Sequence, residues 1–395
     1  MSTPILLLNA GSSSIKYQVI DADDERVLAT GLIERIGQEL SRIKHTVGDE
    51  TFTEEESYPN HTVALAAMVT MFEEHGPALD QVKAVGHRTV HGGDKLTHST
   101  VIDDHVIETL EELSPLAPLH NPPGIAGIRG ARRALPNVPH VAVFDTAFFS
   151  SLPPEAYTYA VPTGIAEQYS VRRYGFHGTS HNYVSHTVAE TLGVDYESLK
   201  QIVCHLGNGA SISAIDHGVA VDTSMGLTPL QGLVMGTRSG DVDPGLIFYL
   251  HREAGFSVDA IDNLLNKKSG MIGLAGASDF RDISAKIEAG DERAKIALDV
   301  YIHRLLHYIG AYMAILGGVD TITFTAGVGE NDPVIRARVC ERLAGLGVKL
   351  DPERNAERSS QPRVISTDDS PVTVLVVPTN EELQMAREVS AVIAG

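Results

Sequence analysis

The chain has little positive charge: 31 Lys and Arg stand against 51 Asp and Glu in 395 residues, a formal net charge of −20. A surface this acidic argues against a nucleic-acid binder or a membrane-surface protein, because Lys and Arg recruit phosphate-rich partners. Any site for an anion must then be a local basic exception. Cysteine is almost absent. Cys204 and Cys340 do not form a C-x-x-C pair, so a disulfide scaffold is excluded and a reducing cytoplasm is the default compartment. No apolar run approaches the roughly 20 residues that span a bilayer. The opening MSTPILLLNAGSSS has no charged n-region and only a short apolar run, so it is expected not to act as a signal peptide. Neither G-x-x-x-x-G-K-S/T nor G-x-G-x-x-G occurs, and the two common phosphate-binding fingerprints do not apply.

What is present is ordinary in bulk and unusual in places. The length suggests two to three domains, and 43% hydrophobic with 21% charged residues fits a globular enzyme. The stretch DTSMGLTPLQGLVMGTRSGDVDPG (222–245) holds one arginine, Arg238, and the aspartates Asp222, Asp241 and Asp243. Gly and Pro interrupt it too often for a packed helix, so it reads as turns and loop. A lone guanidinium among Gly, Thr and Ser suits a phosphate, whose oxygens match its fork of donors. A solvated surface loop is the alternative.

Two segments share one design. PILLLNAGSSSIKYQVI (4–20) reads as strand, Gly-Ser turn and strand, and IVCHLGNGASISAI (202–215) repeats it about half a chain later. Gly11 and Gly207 correspond. Apolar runs at 140–148 and 320–331 end respectively at Asp145-Thr146 and at the glycines Gly327 and Gly329. A duplicated α/β unit with a cleft between the copies is one reading; chance similarity of two hairpins is the other. Helical spacing of Ile296, Ala297, Val300, Leu305, Ile309, Tyr312, Met313 and Leu316 predicts a helix over 291–316. A capping box from Thr379 to Glu382 predicts the start of a C-terminal helix, and PLAPLHNPPG (115–124) reads as a stiff connection.

Gly- and Ser-rich turns offer N–H and O–H donors that can cradle phosphate. Lys16 lies two residues beyond Ser14, on the same strand face. The pairs His87/His91 and His177/His181 have i, i+4 spacing, which on a helix could bind zinc. Thr89 and Val90 favour a strand for the first, and Gly178 and the missing Glu of H-E-x-x-H weigh against the second. A histidine bonded to a phosphoryl group and a structural histidine remain. Arg88, in GHRTVHGG, is a candidate anion anchor. Asp145 is a candidate catalytic acid, with a buried, paired structural aspartate as the competing account.

Together NAGSSSIKY, GHRTVHGG, APLHNP, VFDTAF, RYGFHGTSH, HLGNGAS, DTSMGLTPLQGLVMGTRSGDVDPG, AGVGEN and PTNEEL closely resemble the acetate kinase family, in order over essentially the whole chain. The resemblance implies an α/β fold of duplicated ribonuclease-H-like, actin-like ATPase domains. These would be residues 1–149, with the helix 383–395 packing back on them, and a nucleotide-binding domain at 150–382. It implies a homodimer with the active site in an interdomain cleft. The implied reaction is reversible transfer between ATP and acetate, giving ADP and acetyl phosphate, with Mg2+ or Mn2+.

Residue by residue, Arg88 and Arg238 would hold the carboxylate and the moving phosphoryl group. Asp145 would be the catalytic carboxylate and His177 the transition-state donor. Asn9 and Glu381 would lie on the metal side, while Ser12, Ser14 and Lys16 would line the phosphates. The nucleotide would rest on His205, Leu206, Gly207, Asn208 and Gly209; on Asp279, Phe280 and Arg281; and on Gly327, Val328, Gly329, Glu330 and Asn331. Val90, Leu119, Phe176 and Pro229 would wall a small acyl pocket. Phe149 and Gln231 depart from the family pattern, where His and Glu are common. Acetate is already ionised at neutral pH, so Asp145 is expected to orient or link to metal rather than to deprotonate. A kinase for propionate or butyrate, and an actin-like nucleotide-gated binding protein, are the alternatives.

Overall fold

The computed structural model describes residues 2–118 and 120–395. The chain divides into two compact units: Met1–Ser150 with Asn380–Gly395, and Ser151–Thr379. Each is built on its own sheet.

In the first unit, β1 (Pro4–Ala10), β2 (Ser14–Asp21) and β3 (Arg26–Glu34) form an antiparallel meander extended by β4 (Ser41–Val47) and β5 (Glu50–Glu56). On the other side of β1 lie β6 (Ala84–Thr89) and β8 (His140–Phe144), both parallel to it, with the short β7 (Thr100–Val101) at the edge. The second unit has the hairpin β9 (Lys200–Leu206) and β10 (Ala210–Asp216), followed by β11 (Val219–Thr223). Then come β12 (Thr321–Thr325), β13 (Arg363–Val364) and β14 (Thr373–Val376), with β12 and β14 parallel to β9. The order β3-β2-β1-β6-β8 in one sheet matches β11-β10-β9-β12-β14 in the other. The two similar hairpins of the sequence are therefore equivalent elements of a duplicated ribonuclease-H-like fold.

Sequence explains these elements directly. The central strands are near-continuous apolar runs because parallel strands are covered on both faces. Ile5 to Leu8 and Val141 to Phe144 are all at most 3% exposed. Against the first sheet packs the helix His61–His75, whose Leu65, Met68, Met71 and Phe72 join Ile15, Tyr17 and Ile33 in one core. Asn60 caps that helix by accepting a bond from the Val63 N–H.

Four local expectations need correction. The C-terminal helix Glu381–Ala394 is capped by Asn380, not Thr379, because Asn380 Oδ1 accepts from the Leu383 N–H. Residues 121–124 are not connection but the first turn of the helix Asn121–Ala134, where proline is compatible with N–H groups that have no helical partner. The helix Glu292–Ile315 forms, but Ile296 and Val300 face outward at 57% and 40% exposure. Gly327 and Gly329 lie not in a turn but in a short helix, Ala326–Asn331, that follows β12 directly through a positive φ of 63° at Ala326. No helix among the described residues is long and apolar enough to cross a membrane.

Candidate functional site

The first unit gathers its polar candidates at the carboxyl ends of three adjacent strands, where open α/β sheets bind ligands. Leu8 is paired with His87, and Thr89 with Phe144, so Asn9, Arg88 and Asp145 follow at the same end of β1, β6 and β8. Arg88 donates from Nε and Nη2 to the two carboxylate oxygens of Asp145, at 2.9 and 2.8 Å. Asp145 is 2% exposed, and this fork-to-fork pair supplies the charge compensation its burial requires. Glu381, at the start of the C-terminal helix, lies 3.7 Å from the same Nη2. Arg88 is held charged above its ordinary range, chiefly by Asp145. Burial raises the Glu381 carboxyl, with Asp145 adding to the rise and Arg88 opposing it. Lys16 is ion-paired with Glu382. Ser14 closes the hairpin turn through its carbonyl, which accepts from the Gly11 N–H at 2.8 Å, and Ser12 is exposed at the tip.

The second unit gathers the rest. The run 222–245 is loop from Ser224 to Asp243, and its aspartates hold that loop in place. Asp222 accepts from the Tyr312 hydroxyl, Asp241 from the Tyr308 hydroxyl and the Gly232 N–H, and Asp243 from Gly245 N–H. Arg173, which the sequence did not single out, donates from Nη1 to the carbonyls of Thr223, Ser224 and Met225. The β9–β10 hairpin tip docks on the same loop. Gly236 N–H donates to Asn208 O, and a Cβ on Gly236 would fall 2.0 Å from Asn208 Oδ1, so a side chain there would displace the Asn208 amide.

Arg238 ends a tight turn in which Met235 N–H donates to its carbonyl. Its Nη1 donates to the Pro229 carbonyl at 3.2 Å, and it has no carboxylate partner among the described residues. Burial alone lowers its pKa. It is a half-buried cation whose charge is left uncompensated. His177 precedes the helix Gly178–Leu192 with a φ of 60°, a left-handed conformation that non-glycine residues rarely take. Its Nδ1 is bonded to Ser211 Oγ and its ring stacks on His205 at 4.2 Å. A Cβ on Gly209 would lie 3.4 Å from His177 Nε2 and 3.5 Å from Arg238 Nη1, so both groups border one point above the hairpin turn.

Beside that turn is a cavity of about 570 Å³. Gly207, Asn208, Asp279, Phe280, Arg281, Gly327, Val328 and Asn331 line it, with Ser278, Ser284 and Asp332 as additions. Three segments far apart in sequence thus meet around one volume. Other expected members do not reach it. Leu206 is fully buried, His205 bonds Ser180 Oγ, and Glu330 accepts from the Thr379 N–H. Gly329 faces inward, where a Cβ would stand 3.3 Å from the Phe324 backbone, while Gly327 opens to free space.

Of the acyl-pocket candidates, Val90 follows β6 and is half-buried, Phe176 is 1% exposed, and Pro229 contributes its carbonyl to Arg238. Leu119 lies outside the described residues. Phe149 is buried edge-on against Phe148, and Gln231 accepts a 2.6 Å bond from the Tyr159 hydroxyl, an acceptor role a glutamate would also fill.

Comparison with known proteins gives the family and the fold. The model of the acetokinase family matches residues 4–387. The chain is 56% identical over 394 residues to an acetate kinase of Leifsonia xyli subsp. xyli, covering 99% of each chain. Among solved structures it superposes on Porphyromonas gingivalis acetate kinase with a TM-score of 0.94 at 44% identity, covering 99% of this chain and 100% of that one. A propionate kinase from Francisella tularensis gives 0.92 at 39%, covering 98% of each. The chain belongs to the acetokinase family.

Proposed function

We propose that this member of the acetokinase family is an acetate kinase, transferring the terminal phosphoryl group of ATP to acetate and, in reverse, of acetyl phosphate to ADP. A carboxylate oxygen of acetate attacks the γ-phosphorus, the bond from that phosphorus to the β–γ bridging oxygen breaks, and ADP leaves with the electron pair. Acetate carries no proton to be removed, so the residues have positioning and charge neutralisation to supply, the main demands of phosphoryl transfer.

The observation that carries the reading is Arg238. A half-buried guanidinium with no carboxylate partner is set for an anion, and His177 Nε2 borders the same point. These two act on the moving phosphoryl group. Arg88 keeps its Nη1 donors outside the pair with Asp145 and binds the acetate carboxylate or the phosphoryl group, while Asp145 orients it. The adenine nucleotide occupies the cavity at Gly207, Asp279 and Gly327. Asn9, Glu381 and Asp145 are oxygen donors of the kind magnesium takes, and the raised Glu381 carboxyl beside Asp145 marks a spot that favours added positive charge. Mg2+, when bound there, supplies charge neutralisation of the phosphates. The enzyme is read as a cytoplasmic homodimer. Two buried free cysteines support the compartment, and the outward Ile296 and Val300 support a covered helix face.

The test is hydroxylamine trapping of acyl phosphate by the purified protein across acetate, propionate and butyrate. Hydroxamate colour that requires both ATP and acetate, with the highest kcat/KM for acetate, is expected. A preference for propionate would move the assignment to a longer-chain kinase, and no colour with any acid would remove the kinase reading.

A further inference from the structure

Behind His177 runs a buried series of hydrogen bonds into the second sheet. His177 Nδ1 meets Ser211 Oγ at 2.9 Å, Ser211 Oγ meets His181 Nε2 at 2.8 Å, and His181 Nδ1 meets Ser213 Oγ at 2.8 Å. Ser211, Ser213 and His181 are all 0% exposed. His181 lies in the first turn of the helix Gly178–Leu192, His177 caps that helix, and Ser211 and Ser213 share one face of β10.

The series can be directed in few ways. Each serine has one proton, and each neutral imidazole has one N–H and one bare nitrogen. Suppose His177 carried its proton on Nδ1. If Ser211 then donated to His181 Nε2, His181 would donate from Nδ1 to Ser213. The Ser213 proton would have no acceptor among the described residues. If Ser213 instead donated to His181 Nδ1, both rings would donate to Ser211, and the Ser211 proton would be the one stranded. Either arrangement leaves a buried donor without its hydrogen bond, at the full desolvation cost of that group. One direction leaves none: Ser213 donates to His181 Nδ1, His181 Nε2–H donates to Ser211, and Ser211 donates to His177 Nδ1. Burial also lowers the His181 pKa well below its ordinary value, in keeping with a neutral ring.

We propose that Ser213, His181 and Ser211 act as positioning residues that fix the proton of His177 on Nε2, making that nitrogen an N–H donor toward the point it borders with Arg238. The hydrogen bond on one imidazole nitrogen sets what the other can do. Ser213 thereby controls a group three hydrogen bonds away without touching a ligand. The effect on turnover rests on the reading of His177 as a group acting on the phosphoryl; the protonation pattern does not.

The experiment is two-bond proton–nitrogen correlation NMR on 15N-histidine protein in mildly alkaline solution, with the His177 signals assigned by His177→Asn. Wild type should show the Nε2–H tautomer. Ser213→Ala should give a mixture of tautomers, and Ser213→Thr, which keeps the hydroxyl, should restore the single form. In parallel, Ser213→Ala should lower kcat by roughly 3- to 30-fold, short of the 10²–10³ for losing a donor outright, with KM for ATP and acetate unchanged. An Nδ1–H tautomer in wild type overturns the proposal whether or not the variants fold, and so does a His177 tautomer unmoved by Ser213→Ala. If Nε2–H is found but no acyl phosphate is made, the relay stands and the kinase reading fails.

Discussion

Arg88 and Arg238 look alike in the sequence, each a lone arginine among glycines, yet the two units place them in opposite electrostatic settings. Arg88 is locked to a buried carboxylate with a second one 3.7 Å away. Arg238 has a carbonyl for company and its charge is uncompensated. The first unit thus carries a cation already compensated by a buried carboxylate, so that Arg88 serves the fold as well as the site; the second carries a cation held ready for a ligand. Residue type and spacing locate charged groups near a site, but the partner decides whether a charge supports the fold or awaits a ligand.

The largest effect expected is on turnover, where the two should not differ. Arg88→Ala and Arg238→Ala should each lower kcat by about 10²–10³, the scale for removing a partner of transition-state charge. Stability should separate them. Arg88→Ala strands Asp145 buried and unpaired, and should cost about 3 kcal/mol in denaturant unfolding. Arg238→Ala removes no ion pair and should stay within about 1 kcal/mol of wild type. Equal losses would mean that the Arg88–Asp145 pair has no special structural role.

A smaller effect sharpens the ligand side of the comparison. Gly327→Val projects into the cavity of the second unit and should weaken ATP binding by about tenfold in calorimetry, since a branched side chain bars close backbone approach. Unchanged affinity would put the nucleotide elsewhere.

The smallest effect concerns what the units share. His87 and His140 in one, and His181 in the other, are kept neutral mainly by burial, which lowers their pKa values. The unfolded chain takes up protons on these rings near pH 6.5, whereas the folded chain does so only below it. Stability is therefore fully present above about pH 6.5 and falls as the pH drops, by at most about 1.4 kcal/mol per pH unit for each ring. The melting temperature should decline on acidification, and His87→Asn should make the decline shallower. An unchanged slope would contradict the assignment of His87 as a neutral buried ring.

Much of this was legible in the chain itself. The duplicated hairpins follow from alternation around Gly11 and Gly207, and the strand end before Asp145 from where its apolar run stops; the run expected to end at Gly327 and Gly329 leaves its strand earlier, at Thr325, and continues as helix. Asp145 is buried and paired, as one of the two sequence readings had it. What was not legible depends on partners distant in sequence. Nothing near Gly329 says that it faces Phe324 while Gly327 faces the cavity, because the short helix turns the two apart. Ser211 and Ser213 are ordinary strand serines until the helix Gly178–Leu192 brings His177 and His181 against them. Arg173 was missed because its three acceptors are backbone carbonyls, which leave no trace in residue type.

The central claim is that the uncompensated charge of Arg238 serves the reaction and not the fold. The direct measurement is hydroxamate-coupled turnover and denaturant unfolding on one preparation of Arg238→Ala beside wild type. A fall in kcat of about 10²–10³ at near-unchanged unfolding free energy is the predicted result. Near-normal turnover, or a loss of activity matched by a loss of stability as large as that of Arg88→Ala, would contradict it.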